Sequence, residues 1–256
     1  SKYSSDGTKS WTKLLGSSST EISYGVATAS DGSIYITGYA AGDLDGETNT
    51  GSVDIFVSKY SSDGTKAWTK LLGSSSKDQS YGVATASDGS IYITGYAGGD
   101  LDGETNAGSA DIFVSKYSSD GTKSWTKLLG SSTTDRSYGV ATASDGSIYI
   151  TGRAGGDLDG ETNAGGNDAF LAKYSSDGIQ TWTKLLGSSS YELSRAVATA
   201  TDGSIYITGG TFGDLDGETN AGNFDAFLTK YSSDGTKAWT KLLGSSSYEL
   251  SRAVAT

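Results

Sequence analysis

The chain contains no cysteine, no proline, no methionine and no histidine. Without cysteine there are no disulfides, no thiolate metal sites and no thiol nucleophile. Without histidine there is no imidazole for acid–base or triad chemistry. Positive charge is scarce. Nineteen Lys and Arg stand against 30 Asp and Glu, a formal net charge of −11. Nucleic-acid binding needs a basic footprint, so no nucleic-acid partner is expected, and divalent cations are the better electrostatic match. No run approaches the roughly 18 apolar residues of a membrane helix, so no membrane insertion is expected. No secretory leader is visible at the start. The missing methionine, an opening at Ser1-Lys2-Tyr3 inside a repeat and a close at Thr256 inside another point to a processed product or an excerpt of a longer chain.

What the chain does hold is glycine, 37 residues, and aromatic side chains, five Trp and sixteen Tyr among them. That is too many rings for a disordered Gly/Ser chain. The residues are strongly periodic. Lys-Tyr-Ser-Ser-Asp-Gly begins at Lys2, Lys59, Lys116, Lys173 and Lys230, each 57 residues after the last, and Trp11, Trp68, Trp125, Trp182 and Trp239 keep the same spacing. Each period carries four strand signals: A over 23–30, B over 33–39, C over 54–60 and D over 67–72. Asp31-Gly32 joins A to B, and Ser62-Asp63-Gly64-Thr65 joins C to D. Strand B carries bulk on both faces, which suits a sheet packed between two neighbours. A period of 40 to 60 residues with four short antiparallel strands implies an all-β β-propeller. A sandwich needs about 100 residues and seven strands per domain.

The expected division is a partial blade over 1–22, blades over 23–79, 80–136, 137–193 and 194–250, and the first strand of a closing blade over 251–256. That closing blade lacks strand B and most of C. The missing strands come from the rest of a longer chain, from a neighbouring molecule, or the ring closes imperfectly. Unpaired edges invite pairing, so self-association through the incomplete blade is one expectation.

The run Leu-Leu-Gly-Ser-Ser, Val-Ala-Thr-Ala-x-Asp-Gly-Ser-Ile-Tyr-Ile-Thr-Gly, Gly-Asp-Leu-Asp-Gly-Glu-Thr-Asn-x-Gly, Asp-(Ile/Ala)-Phe-(Val/Leu) and Lys-Tyr-Ser-Ser-Asp-Gly resembles the bacterial SBBP β-propeller repeats. The resemblance covers the whole chain. It implies an extracellular or cell-surface scaffold or interaction role, in line with a thiol-free, acidic, Ser/Thr-rich composition.

The B-to-C loop is the sharpest motif. Asp43, Asp45 and Asn49 recur as Asp100, Asp102 and Asn106, as Asp157, Asp159 and Asn163, and as Asp214, Asp216 and Asn220. Oxygen ligands at alternate positions before a glycine resemble calcium loops, so one Ca²⁺ per repeat is one reading. Asp and Asn closing turns on their own backbone is the other, and the loop lacks the distal bidentate Glu of an EF-hand. The tryptophans are expected to pack between blades rather than stack sugars. Lys13 and its equivalents are expected to keep an outer edge strand soluble. No enzyme is expected: the carboxylate pairs recur in equivalent copies, not as one differentiated site.

The copies differ mainly in the D-to-A connection (Thr20-Glu21-Ile22 and its equivalents) and the B-to-C loop (Tyr39-Ala40-Ala41 and its equivalents). In an antiparallel meander both lie on one face of the disc, where binding loops usually sit. Tyr191, Leu193, Arg195, Phe212 and Phe224 make that face most apolar in the fourth repeat. The function expected is a non-enzymatic structural or interaction scaffold. It takes the form of a ring binding a glycan or protein on its variable face, or of a strand-exchanging unit of a surface layer or filament.

Overall fold

The computed structural model describes residues 1–256. It is all-β, and its strands follow the sequence signals closely. A short hairpin, β1 (Lys2–Tyr3) with β2 (Lys9–Trp11), precedes four sheets of four strands each. Sheet 1 is β3 (Glu21–Thr28), β4 (Ile34–Ala40), β5 (Asp54–Tyr60) and β6 (Lys66–Leu72). Sheet 2 is β7 (Asp78–Thr85), β8 (Ile91–Ala97), β9 (Asp111–Tyr117) and β10 (Lys123–Leu129). Sheet 3 is β11 (Arg136–Thr142), β12 (Ile148–Ala154), β13 (Asp168–Tyr174) and β14 (Gln180–Leu186). Sheet 4 is β15 (Glu192–Thr199), β16 (Ile205–Thr211), β17 (Asp225–Tyr231) and β18 (Lys237–Leu243). Each sheet is an antiparallel meander in sequence order, and the sheets are not closed into a ring.

The core lies between sheets. One cluster joins Tyr35, Ile55, Val57 and Leu72 of sheet 1 to Ile91, Ile93, Leu101 and Phe113 of sheet 2, and equivalent clusters join sheets 2 and 3 and sheets 3 and 4. Alternate residues of one strand therefore serve two interfaces. In β8, Ile91 and Ile93 face sheet 1 while Tyr92 faces sheet 3. Trp68 adds to the seam. Its ring lies over the turn at Gly121 in sheet 2, and its Nε1 donates to Ser119 O at 3.2 Å. Trp11 and Trp125 repeat that bond on Ser62 and Ser176. Trp11, Trp68, Trp125 and Trp182 thus each pack against the following sheet, while Trp239 of sheet 4 is exposed.

The first strands of successive sheets adjoin one another. Thr85 Oγ1 donates to Thr28 O at 3.1 Å, Thr142 to Thr85 O, and Thr199 to Thr142 O, each across 57 residues. Residues 251–256, expected as a further A strand, form no strand. They lie in its place, with Thr256 Oγ1 on Thr199 O at 2.8 Å, but no following B strand is present to pair with them.

The two sets of connections separate onto two faces as expected. The A-to-B and C-to-D turns meet, with Gly32 against Ser62. The B-to-C and D-to-A connections meet through parallel bridges Val53↔Lys77, Ala110↔Thr134, Asn167↔Tyr191 and Phe224↔Tyr248.

Candidate functional site

The acidic B-to-C loops are miniature hairpins. Leu44 and Glu47 exchange both backbone hydrogen bonds at 3.0 Å around Asp45-Gly46. Asp45 has φ +54° and Gly46 +85°. Positive φ at both central residues is the type I′ turn, which selects Asp-Gly. Leu44, Leu101, Leu158 and Leu215 anchor these hairpins, each about fully buried. The carboxylates already have partners. Asp43 accepts the Asn49 amide at 2.9 Å, and Asn49 Nδ2 donates to Ala40 O at 3.0 Å. Asp100 with Asn106, Asp157 with Asn163 and Asp214 with Asn220 do the same. Asp45 is ion-paired with Lys66 and accepts Thr69 Oγ1 at 2.5 Å. Burial pushes its carboxyl up, but Lys66 and Thr69 outweigh that and hold it below the ordinary value. Asp102 and Asp216 pair with Lys123 and Lys237, while Asp159 takes Gln180 instead. Lys70, Lys127, Lys184 and Lys241 pair with Glu47, Glu104, Glu161 and Glu218 at 2.7–2.8 Å. The residues proposed for Ca²⁺ thus make turn-closing hydrogen bonds and ion pairs, and they form no group of three or more acidic side chains.

On the opposite face the Asp-Gly turns also satisfy themselves, apart from Asp177, whose turn is closed by Ser175 Oγ on the Ile179 amide. The Ser61 hydroxyl and the Thr65 amide hold Asp63 down to about 2, and Asp6, Asp120 and Asp234 behave alike.

The variable face is built differently. Each first strand carries a β-bulge. The register with β4 jumps between Ser23 and Gly25, with β8 between Ser80 and Gly82, with β12 between Ser137 and Gly139, and with β16 between Ser194 and Ala196. The residues left out of the ladder are Tyr24, Tyr81, Tyr138 and Arg195. A bulge re-aims a side chain, and here it aims them at one another. The Tyr24–Tyr81 ring centroids are 5.0 Å apart and the Tyr81–Tyr138 centroids 5.3 Å, and the Arg195 guanidinium lies 4.5 Å above Tyr138. The opposing strand must be glycine there: a Cβ on Gly38 would sit 1.9 Å from Ile22 O, and Gly95, Gly152 and Gly209 face the same carbonyl approach.

Two further rows flank this one. Directly paired across the first two strands are Ile22↔Tyr39, Gln79↔Tyr96, Arg136↔Arg153 and Leu193↔Gly210. Sheet 3 therefore sets two arginines opposite each other. Arg136 lies 4.4 Å over the Tyr96 ring, and Arg153 lies 5.8 Å from Tyr191 while donating to Asn167 Oδ1 at 3.4 Å and Tyr191 Oη at 3.3 Å. The cluster sits at the loop end of the inner strands. Carboxylates brace the loops beneath it. Asp78 accepts the Ser74 amide and hydroxyl and the Gly98 amide, and Asp135 repeats the pattern. Desolvation, with the nearby Asp54 charge adding to it, pushes Asp78 up.

Of the five residues singled out in the fourth repeat, Tyr191 and Arg195 join this cluster, half-buried. Phe212 is 46% exposed and lies 4.4 Å from the ring of Phe224. Phe224 and Leu193 are buried and act as packing. Sequence reasoning passed over Tyr81, Tyr96, Tyr138, Arg136 and Arg153 as site residues. A signal for them existed: three of the chain's four arginines, at 136, 153 and 195, occupy the row positions of first and second strands, and Arg252 repeats Arg195 at the 57-residue spacing. It also missed that positions 21, 78, 135, 192 and 249 are acidic in every copy.

The comparisons agree with this architecture. The SBBP family, described as a beta-propeller repeat, matches residues 10–45 and 67–102, so the chain carries SBBP-type repeats. It is 29% identical over 168 residues to the regulatory protein FlaEY of Caulobacter vibrioides, covering 59% of this chain and 18% of that protein. It is 26% identical over 219 residues to an uncharacterized WD repeat-containing protein of Acanthamoeba polyphaga mimivirus, covering 70% of this chain and 15% of that one. The chain thus matches less than a fifth of the length of either curated relative.

Proposed function

We propose that this chain is a non-catalytic propeller-type interaction scaffold that holds a ligand on the face formed by its B-to-C and D-to-A connections. The observation that carries this reading is the row of bulged residues Tyr24, Tyr81, Tyr138 and Arg195. A rigid repeat presents aromatic and cationic groups side by side on strands, not on drifting loops. Tyrosine gives large contact area at low entropy cost and carries a polar tip. The SBBP match and the likeness to a WD repeat-containing protein support a repeat scaffold. Placement at the bacterial cell surface belongs to the same proposal, supported by the acidic, cysteine-free composition.

The test is a glycan and protein array probed with three proteins: the unaltered chain, the double variant Tyr81→Ala/Tyr138→Ala, and the opposite-face variant Ser87→Lys/Ser144→Lys. A ligand retained by the serine variant and lost by the tyrosine variant supports the reading. A ligand lost only by the serine variant, or no saturable ligand at all, overturns it.

A further inference from the structure

The arginines of sheet 3 contradict the economy of the rest of the molecule. The chain carries a formal charge of −11, and every ion pair it makes uses lysine. No arginine lies within ion-pair distance of a carboxylate. Arg136 and Arg195 make no side-chain hydrogen bond, and the Nε atoms of Arg136, Arg153 and Arg195 are all buried without an acceptor. Arg136 and Arg153 stand directly across from each other on paired strands, where like charges repel. Sheet 2 shows that the fold does not need them, since Gln79 and Tyr96 fill the same two positions. Arg195 adjoins the group from sheet 4, its guanidinium 4.5 Å over the ring of Tyr138, which stands two residues along the strand from Arg136. An uncompensated cationic cluster in an acidic protein is destabilising unless something anionic completes it.

Resting on the interaction reading above, we propose that Arg136, Arg153 and Arg195, with the half-buried Tyr81 and Tyr138, form a binding site for an acidic sugar, its carboxylate held by the arginines and its ring set against the two tyrosines. A guanidinium offers a planar fork of donors that matches a carboxylate in two-point geometry. Two such forks enter from opposed strands and a third from the next sheet. The tyrosine row supplies the flat, weakly polar surface that a ring needs, and phenol hydroxyls for its hydroxyl groups. Arginine does not lose its proton in the working pH range, so the protein side of the binding is insensitive to pH, while added salt weakens it.

The experiment is calorimetric titration of the full chain with galacturonate oligomers at low salt. Neutral galactose oligomers, sodium sulfate and a poly-glutamate peptide are run alongside. The variants are Arg136→Gln and Arg153→Tyr, which install the residues sheet 2 already tolerates, with melting temperature confirming their fold. The expected result is saturable uronate binding that exceeds all three comparators. It weakens by on the order of tenfold or more in each variant, as loss of a charge-assisted hydrogen bond implies, and weakens again at high salt. Binding of the peptide or of sulfate as tight as that of the uronate overturns the sugar assignment. Absence of uronate binding does the same. Uronate or neutral-sugar binding that both folded variants retain overturns the arginine site, while leaving the interaction reading of the face standing.

Discussion

The two loop faces are made from the same repeat yet treat charge in opposite ways. On the A-to-B and C-to-D face the turn aspartates are matched to amides and hydroxyls two residues away, as with Asp63 on Ser61 and Thr65, except Asp177, where Ile179 gives its amide to Ser175 Oγ instead. Little varies there: Ile179 stands for the threonine of the other C-to-D turns and Thr201 for the serine of the other A-to-B turns. On the other face the acidic hairpins are equally self-contained, but the strand ends beside them carry bulged tyrosines and three arginines without carboxylate partners. Self-satisfied turns serve the fold, and a polar group left uncompensated beside them marks a surface built for something else.

The comparison can be broken most severely at the anchors of the variable face. Leu158 is fully buried, and Leu158→Ala should cost about 2–5 kcal/mol. Hydrogen exchange should show the sheet 3 hairpin loosened while the turn at Asp177-Gly178 keeps its protection. A smaller effect is expected at the type I′ turn itself. Asp159 has φ +53°, and Asp159→Ala should lose roughly 1–2 kcal/mol by denaturant titration, since alanine is strained in the left-handed region. Smaller still, and of opposite sign, Arg136→Gln should stabilise the chain by about 0.2–1 kcal/mol at low salt by removing a like-charged cross-strand pair. That gain should shrink in 1 M NaCl, where charges are screened beyond roughly 3 Å.

Acid sharpens the contrast from the other side. Asp120 is held at about 2 in the fold, against an ordinary 3.8. The unfolded chain therefore binds this proton first. The stability that Asp120 contributes is complete above about pH 4 and drains away as pH falls toward about 2. Asp78, Asp111 and Asp168 are pushed up by burial, so their protonation in acid works in the opposite direction. Asp120→Asn should flatten the loss of melting temperature below pH 4, whereas Asp78→Asn should not. The smallest effect is expected from calcium. Because Asp45 and its equivalents are engaged by lysine, glutamine and threonine, millimolar Ca²⁺ after chelation should leave the melting temperature unchanged. A rise of several degrees would place a cation in these loops.

The fold was legible because its determinants are local. Asp-Gly at fixed offsets, two-residue alternation in Ile34-Tyr35-Ile36-Thr37 and one tryptophan per period specify strands and turns within a few residues of themselves. Strand bounds accordingly fell within two residues of those read from the sequence. The site was less legible because it is made by register. Whether Arg136 faces Arg153 depends on a bulge at Tyr138 and on how β11 slides along β12. Whether Tyr81 meets Tyr138 depends on the spacing between sheets. Comparing the copies locates the variable positions of the expected binding face, Arg136 and Arg153 among them, but not that the two stand opposite each other. It also drew Leu193 and Phe224 to the surface because apolar variation in a loop reads as exposure, whereas the parallel bridge Phe224↔Tyr248 pulls Phe224 under the loop.

The most direct test of the central claim is nuclear magnetic resonance of the backbone amides and the four arginine Nε–H groups during titration with galacturonate oligomer. The account predicts shifts at Arg136, Arg153, Arg195 and the amides around Tyr81 and Tyr138, with the opposite-face turns at Ser87 and Ser144 unmoved. Shifts centred on those turns, or arginine signals that stay still at saturating uronate, would contradict it.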